Sequence, residues 1–420
     1  MPTTDVMREA PGWLHPRCRT SVARNAARAA GAAARRLRGG SGVVIGGRVL
    51  LAVEPGSISA VSRGRDITLV SGTNGKSTTT AFIVAALGEE APVATNRDGA
   101  NTAVAVAGLL GSTDARRVVL EVDEDWLPWA VRETSPHAVA LTNLSRDQLT
   151  RHHEIHSVAE AWRSGLAGVP VVIANADDPA VVWSALAGER QVWVALGARW
   201  TADSLVCPGC AGRCIRTGSD WACRDCALRR PVPDWWLEDD ILRSATASLP
   251  LLLELPGRCN LANAALAVVV AHHVGATSPG EAARRLRAVH SVAGRFKRIR
   301  FRGHDLRIML AKNPAGWLEL LDLMASEQHP LVLILNAEGV DGRDPSWIYD
   351  VSFRPLRGRT VVVQGRRATD LLVRLEHDGV AATHVPGPLA AALWKLPAGR
   401  VDVVGNYTAF RSTVREVQRA

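Results

Sequence analysis

The chain has 420 residues, of which 47% are hydrophobic and 22% charged, a balance typical of a folded globular protein and not of a disordered or fibrous one. This length predicts two or three domains. The net charge of +9 is compatible with nucleic acid, an anionic membrane surface or phosphorylated ligands, so it selects none of them. No apolar run is long enough to span a bilayer and no export signal is evident, so we expect a cytoplasmic protein. The arginine-rich start also fits an organelle transit peptide, the less favoured interpretation.

Residues 1–65 predict an N-terminal segment and not a full domain. An Ala/Arg-rich helix is followed by a glycine-rich stretch, 39–47, and by a short apolar strand at 49–53. Beyond residue 66, apolar β-branched runs alternate with helical patterns, and the predicted strands are 67–70, 118–122, 138–142 and 171–174. Strands that alternate with helices indicate a parallel sheet covered on both faces. We therefore predict a central domain over 66–298.

A segment rich in Cys, Gly, Arg and Pro interrupts this rhythm at about 205–232 and indicates an insertion. A helix at 260–273 restores the pattern, and a fresh alternation begins near 306 with strands at 331–335, 360–363 and 401–404. The restart predicts a second, smaller domain over 299–420. The predicted fold is therefore α/β: a central parallel-sheet ATPase domain of the P-loop type with an inserted four-cysteine zinc ribbon, followed by a Rossmann-like C-terminal domain.

A phosphate-binding loop is predicted between the strand at 67–70 and the helix that follows. Gly72 and Gly75 allow backbone N–H groups to approach phosphate oxygens, Lys76 adds a positive charge and Ser77 is a ligand for Mg²⁺. The plain motif G-x-x-x-x-G-K-[ST] is not matched, because Val70 stands where its first glycine would be. The alternative is an ordinary strand-to-helix turn. The residues predicted to bind nucleotide here are Gly72, Thr73, Asn74, Gly75, Lys76, Ser77 and Thr78.

Two Cys-x2-Cys pairs, separated by residues 211–222, predict a structural Zn²⁺ site with four thiolate ligands. The predicted ligands are Cys207, Cys210, Cys223 and Cys226. Cys214 lies between the pairs and is a competing ligand. An arginine-rich ribbon is also compatible with nucleic-acid binding, but positions for aromatic stacking are sparse. We therefore expect no nucleic-acid partner.

Several blocks, in the expected order, resemble the Mur ligase superfamily, the ATP-dependent amide-forming enzymes of peptidoglycan and folate metabolism. Beside the loop, the matching blocks are 95–101, 120–124, 141–149, 175–179, 257–263 and 294–295. The resemblance implies that Glu121 holds Mg²⁺ together with Ser77, that Asn263 contacts adenine, and that Arg295 contacts the nucleotide phosphates. It also implies catalytic roles for Lys76 and Glu121. Glu121 has a physical basis as well, because a carboxylate at the end of an apolar strand is a hard oxygen donor, although such acids are often only solvated.

Three departures narrow the resemblance. The stretch before the loop is expected to be too short for a UDP-sugar domain, Gln148 replaces the customary histidine, and 310–314 reads Leu-Ala-Lys-Asn-Pro. With blocks 341–350, 365–368 and 406–409, these features resemble the MurT family, the ligase-like subunits of lipid II isoglutaminyl synthase. This resemblance implies an ATP-dependent carbon–nitrogen ligase subunit. Its substrate would be lipid II at the inner face of the membrane, where the D-glutamate α-carboxyl is amidated through an acyl phosphate. Ammonia would come from a class I glutaminase of the GatD type in a heterodimer.

Two acids of the C-terminal domain, Asp344 and Asp350, follow the predicted strand at 331–335. The chain shows no convincing Cys/His nucleophile pair of its own. The resemblance implies that one of these aspartates orients the histidine of the partner's Cys/His pair, and we favour Asp350, with Asp344 next. The alternative is an aspartate that only stabilises a turn. Two rival functions remain: a folylpolyglutamate-synthase-like ligase, and a non-catalytic zinc-ribbon scaffold that binds nucleotide.

Overall fold

A computed structural model describes residues 16–38, 42–96, 100–147, 154–197, 199–275, 277–292, 295–325, 327–338 and 344–419. Gln148, and residues 97–99, 149, 294 and 341–343 of the sequence blocks above, lie outside the described residues. Within that part of the chain, no helix combines the length and the apolar character that crossing a bilayer requires.

The described part of the N-terminal segment contains three helices, and residues 49–53 lie in the second, so the predicted strand at 49–53 is wrong. Its helices are α1 (Pro16–Arg38), α2 (Val43–Val53) and α3 (Ser57–Ser62). Helix α2 packs closely against α5 (Ala103–Ser112) through glycines: a Cβ added to Gly47 would lie 1.8 Å from the Val104 carbonyl oxygen. A Cβ added to Gly108 would lie 2.0 Å from the Val43 carbonyl oxygen. This packing against a neighbouring helix outweighs the strand propensity of the valines.

The central domain is built on a nine-stranded sheet in the order β11-β10-β9-β6-β5-β4-β1-β3-β2. The seven strands from β9 to β2 pair in parallel, whereas β10 and β11 pair antiparallel at one edge. A separate hairpin, β7–β8, belongs to the insertion. The strands are β1 (Asp66–Ser71), β2 (Val93–Thr95), β3 (Arg117–Glu121), β4 (Ala138–Leu141), β5 (Val171–Asn175), β6 (Arg190–Ala195), β7 (Cys214–Thr217), β8 (Asp220–Cys223), β9 (Trp235–Glu238), β10 (Ile241–Ser244) and β11 (Ser248–Pro250).

Both faces of this sheet are covered. Successive residues of a strand point to opposite sides, so neighbours in one strand pack on different faces. Leu69 and Leu120 pack into one apolar cluster, and their neighbours Val70 and Val119 pack into another. The helices that cover the sheet, besides α5, are α4 (Lys76–Leu87), α6 (Leu127–Thr134), α7 (Ile155–Gly165), α8 (Pro179–Ala185), α9 (Arg258–His273) and α10 (Pro279–Arg285). The buried apolar runs read from the sequence are therefore strands of a parallel sheet, as predicted.

The C-terminal domain has its own six-stranded sheet in the order β12-β13-β17-β14-β15-β16, antiparallel only between β12 and β13. Its strands are β12 (Phe296–Phe301), β13 (His304–Leu310), β14 (Leu331–Ile334), β15 (Val361–Gln364), β16 (Ala382–His384) and β17 (Gly399–Gly405). Its helices are α11 (Pro314–Ala325), α12 (Ala368–His377), α13 (Leu389–Leu393) and α14 (Tyr407–Arg419). The predicted α/β fold class is confirmed, while the domain boundaries stay predictions.

Candidate active site

The loop between β1 and α4 requires glycine at two positions. Gly72 has a φ of 141° and Gly75 a φ of 86°, backbone conformations that other residues rarely adopt. A Cβ on Gly72 would lie 1.9 Å from the Thr142 hydroxyl oxygen, and one on Gly75 would lie 2.3 Å from Oδ1 of Asn263. The loop is therefore fitted closely between the segment after β4 and the first turns of α9.

The segment 142–145, after β4, fixes the shape of this loop through hydrogen bonds. The backbone N–H of Thr73 donates to the Asn143 carbonyl at 2.8 Å, and that of Asn74 donates to Oδ1 of Asn143 at 3.0 Å. The Thr142 hydroxyl donates to the Asn74 carbonyl at 2.7 Å, and the Ser145 N–H donates to the Thr73 hydroxyl at 3.0 Å. Residues 142–145 of the sequence block 141–149 thus support the loop.

Lys76 is buried at the start of α4 and forms an ion pair with Glu124. Its Nζ lies 2.6 Å from Oε2 of Glu124 and donates to the Gly72 carbonyl at 2.5 Å. Burial alone would lower the pKa of Lys76, but the negative charges of Glu124, Asp123 and Glu121 outweigh it and raise that pKa. Burial likewise opposes the charged form of Glu124, and the charges of Lys76 and Lys312 outweigh it and lower the pKa of this carboxyl. Both groups are therefore charged in the folded protein.

Glu121 ends β3, which pairs with β1 so that Glu121 lies beside Val70, two residues before Gly72. Asn96 holds its backbone by accepting from the Glu121 N–H at 2.8 Å and donating to the Glu121 carbonyl at 2.7 Å. Nδ2 of Asn101 donates to the buried carboxylate at 3.3 Å. Ser77 follows Lys76 in the first turn of α4. A hydroxyl and a carboxylate are hard oxygen donors, so this pair fits Mg²⁺.

A cavity of about 240 Å³ opens beside the loop, between the two domains. Asn74, Gly75 and Thr78 line one part of it, together with Asn263 and Arg295. The structure thus brings Asn263 and Arg295 to the same space as the loop. The described residues that line the cavity do not include Lys76, Ser77 or Glu121. The buried Lys76–Glu124 pair therefore lies outside the lining of the cavity.

The C-terminal domain contacts the loop through residues 310–314. Nδ2 of Asn313 donates to Oδ1 of Asn74 at 3.2 Å. The neighbouring Lys312 donates to the carboxylate of Asp147, and both side chains are largely buried. Lys312 also acts electrostatically on Glu124. Lys76, Glu124, Lys312 and Asp147 therefore form a group of alternating charges that joins the two domains.

The two C-terminal aspartates differ in their surroundings. The Asp344 carboxylate accepts from the Ser346 N–H at 2.8 Å and from the Ser346 hydroxyl at 2.9 Å, as in a turn-stabilising aspartate. Asp350 ends the 3-10 helix Ser346–Asp350, and its carboxylate is 44% exposed. It lies 3.3 Å from Nη2 of Arg146 in the central domain. Among the residues that the structure describes, Asp350, but not Asp344, forms an ion pair across the domain junction.

The four predicted zinc ligands converge. Their Sγ atoms all lie within 4.8 Å of one another, with 3.7 Å between Cys207 and Cys226 and 3.5 Å between Cys210 and Cys223. Four thiolates about 2.3 Å from a tetrahedral Zn²⁺ would be about 3.8 Å apart, so the geometry fits the ion. The Asp225 N–H, which donates to Cys223 at 3.3 Å, lowers the pKa of that thiol to about 7. Cys214 is buried outside this group.

Comparison with known proteins finds relatives among the Mur ligases. The family model of the Mur ligase middle domain matches residues 70–203, and that of the MurT ligase C-terminal domain matches 310–410. A Staphylococcus aureus protein is 28% identical over 398 residues, covering 84% of this chain and 88% of the relative. A Streptococcus pneumoniae protein is 26% identical over 380 residues, covering 82% and 84%. Both are named lipid II isoglutaminyl synthase (glutamine-hydrolyzing) subunit MurT. These matches support MurT of the Mur ligase superfamily as the family of this chain.

Solved Mur ligases share the fold. MurF from Acinetobacter baumannii is 16% identical, with a TM-score of 0.66 over 89% of this chain and 81% of that chain. Folylpolyglutamate synthase from Mycobacterium tuberculosis, complexed with ADP, is 16% identical, with a TM-score of 0.60 over 86% and 92%. Likeness at this identity shows the fold alone. Mur ligases are ATP-dependent ligases that use Mg²⁺, so the ligase class predicted from the sequence is confirmed.

Within this Mur ligase fold, the sequence analysis missed Glu124 and Lys312 as parts of the site. Glu124 stands in the matched block 120–124, and Lys312 stands in the altered block 310–314. The sequence therefore placed both residues in family blocks but did not indicate what either side chain does. The roles assigned to the loop residues, Glu121, Asn263, Arg295, Asp344 and Asp350 stay predictions.

The metal content of the protein tests the zinc prediction. We expect the purified chain to retain one Zn²⁺ through gel filtration, because a closed four-thiolate site holds its ion tightly. Cys210→Ser is expected to lose it, since three thiolates leave the site open. Cys214→Ser is the matched control and is expected to keep the ion, because Cys214 lies outside the group of four. Loss of zinc from the Cys214 variant alone would contradict this assignment of ligands.

Proposed function

We propose that this chain is the ATP-using synthase subunit of a lipid II isoglutaminyl synthase, which amidates the D-glutamate α-carboxyl of the lipid II stem peptide to D-isoglutamine. The observation that carries the proposal is the similarity to relatives of that name over more than four fifths of the chain, including the C-terminal domain. The site is compatible with this chemistry, because a phosphate-type loop lies against a cavity that both domains line. The substrate places the enzyme at the cytoplasmic face of the membrane.

The chemical problem is that a carboxylate is a poor electrophile. In the first step a carboxylate oxygen attacks the γ-phosphorus of ATP, and ADP leaves. In the second, the nitrogen of ammonia attacks the acyl phosphate carbon, inorganic phosphate leaves and the nitrogen loses a proton. Ser77 and Glu121 would hold Mg²⁺, which would supply positive charge at the phosphate oxygens. The amides of the loop and Nζ of Lys76 would bind the same oxygens, and contact between the domains would exclude the water that hydrolyses the acyl phosphate.

Lys312 is expected to assist phosphoryl transfer from the C-terminal domain. Its charge acts on Glu124 of the central domain, so it can compensate negative charge there only when the two domains are together. We expect Lys312→Ala to lower kcat by about 10²-fold, measured as ADP release with lipid II and ammonium, because one donor aimed at developing charge commonly contributes that much. Lys395→Ala, at an exposed position of the C-terminal domain, is the control. An unchanged kcat in the Lys312 variant would exclude this role.

Ammonia is proposed to come from a glutaminase subunit that docks on the C-terminal domain near Asp350. Both residues are exposed, so the observation that supports Asp350 over Asp344 is that the Asp344 carboxylate is already engaged by Ser346 within its own turn. The neighbouring Tyr349 is also exposed, at 56%. An exposed acid beside an exposed aromatic side chain suits a surface that meets another protein.

Reconstitution tests the proposed function. The chain, a class I glutaminase of the GatD type, lipid II, ATP, Mg²⁺ and glutamine are expected to yield amidated lipid II, glutamate, ADP and phosphate. The lipid product is followed by mass spectrometry. The folylpolyglutamate-synthase-like rival shares only the fold, and it predicts instead that glutamate is added to a soluble pterin without a glutaminase. Unchanged lipid II alongside such pterin products would overturn the proposal. No turnover of either substrate would favour the scaffold.

A further inference from the structure

The insertion is docked on the central domain and is not a free appendage. We call residues 205–232 the ribbon. Nε1 of Trp221 donates to the Ala176 carbonyl at 3.0 Å, and the Trp221 side chain is buried. Arg230 forms an ion pair with Asp177 at 2.7 Å, with both side chains largely buried. These contacts attach the ribbon to residues 176–178, which follow β5.

One ribbon side chain reaches the nucleotide cavity itself. Arg216, on β7, is among the residues that line the cavity, at the part formed by Asp177 and Ser204. Its Nη2 donates to the Asp177 carbonyl and to the Ser204 hydroxyl, both at 2.9 Å. Its Nε–H is buried and has no acceptor among the described residues. A buried donor without an acceptor is costly, and an acceptor on a bound ligand would offset that cost.

The ribbon is also joined to the phosphate loop through its docking site. Asp178, next to Asp177, is buried, and its carboxylate accepts from the Leu144 N–H at 2.8 Å. Leu144 follows Asn143, which holds Asn74 of the loop. The residues 176–178 thus contact the ribbon on one side and the support of the phosphate loop on the other. Displacing the ribbon would therefore remove part of the cavity wall.

The position of the cavity indicates which end of the nucleotide reaches Arg216. The terminal phosphate belongs with Lys76 and the Mg²⁺ ligands, none of which line the cavity. The cavity therefore accommodates the nucleoside end. We propose that Arg216 binds the adenosine part of ATP, and that the metal-bound ribbon is what holds it there. The inference rests on the proposed use of ATP, but not on lipid II or on a glutaminase.

Binding of two ligands that differ only in adenosine tests the proposal. Calorimetry on the full chain compares ATP with inorganic tripolyphosphate, both with Mg²⁺. Arg216→Ala is expected to weaken ATP binding about 10-fold or more, the effect of losing a hydrogen bond from a charged donor, and to change tripolyphosphate binding less than about 2-fold. Arg216→Lys should recover part of the ATP affinity. Arg213→Ala, an exposed arginine of the same ribbon, is the matched control and should change neither.

Removal of the ribbon's metal provides the second arm. Zn²⁺ is removed from the chain with a chelator, the chelator is removed, and binding is measured again with Mg²⁺. We expect the same selective loss of ATP affinity. Adding Zn²⁺ should restore that affinity. Unchanged ATP affinity in Arg216→Ala, or equal weakening of both ligands, would overturn the assignment of Arg216 to adenosine. Unchanged ATP affinity after zinc loss would overturn the role of the ribbon's metal. A wild-type chain that binds ATP in this way but makes no isoglutaminyl product would refute the proposed function and leave this inference standing.

Discussion

Lys76→Ala is expected to reduce ADP formation in the presence of lipid II and ammonium by about 10³-fold or more, because Lys76 supplies the fixed charge of the phosphate loop. The same change leaves Glu124 buried without its cation, since Lys76 Nζ lies 2.6 Å from that carboxylate. Removing one member of a buried ion pair costs about 3–5 kcal/mol of folding free energy. Lost activity in this variant alone would therefore not separate catalysis from stability.

The double variant Lys76→Met with Glu124→Gln separates the two effects. It removes both charges, so the penalty of an unpaired buried carboxylate disappears and the free energy of unfolding should return toward that of the wild type. Activity should stay at the level of Lys76→Ala. Glu124→Gln alone completes the double-mutant cycle. A double variant that regains more than about a tenth of wild-type turnover would contradict the catalytic role of Lys76, because a catalytic charge of this kind contributes at least about 10²-fold.

Asp350→Asn is expected to abolish the use of glutamine and spare the use of ammonia. If Asp350 orients the catalytic histidine of the glutaminase, the amide should lower glutamine-dependent amidation by about 10³–10⁴-fold, the loss typical of that change in a triad. Amidation driven by ammonium chloride should stay within about 2-fold of the wild type, because phosphoryl transfer does not involve Asp350. Both rates are measured on the complex with the same lipid II preparation.

Asp344→Asn is the matched control in the same loop. Its carboxylate is occupied by Ser346, so the change should loosen a turn and leave glutamine-dependent amidation within a few-fold of the wild type. Asp350 is a partly exposed partner of Arg146, so its replacement should cost less than about 1 kcal/mol of stability. Equal loss of both nitrogen sources in Asp350→Asn, or selective loss of glutamine use in Asp344→Asn, would contradict the assignment.

The sequence was sufficient for those parts of the fold that depend on local pattern. Buried parallel strands such as β1 and β5 are continuous apolar runs, and their alternation with helices leaves few other architectures. The segment 49–53 has the same composition, yet it is helical because the glycines of α2 and α5 allow two backbones to approach. Such a contact joins residues far apart in the chain, and no local pattern contains it.

The residues of the site likewise divide into those that the sequence predicted and those that required the structure. The phosphate loop and the four-cysteine group are recognisable because their residues are close in sequence and their spacing is fixed by the ligand. The partners that decide how the site works are distant: Glu124 lies 48 residues from Lys76, Lys312 lies 165 residues from Asp147, and Arg216 lies 39 residues from Asp177. These pairings depend on how the sheets and the insertion pack, so they required the structure.

The claim that the enzyme activates the substrate by phosphorylating its carboxylate is tested most directly by oxygen transfer. Lipid II carrying ¹⁸O in the D-glutamate α-carboxyl is amidated by the complex, and the released inorganic phosphate is analysed by mass spectrometry. Attack of the carboxylate on ATP places one substrate oxygen in each phosphate, so we predict one ¹⁸O in phosphate for each amide formed. Amidated lipid II accompanied by unlabelled phosphate would contradict the account.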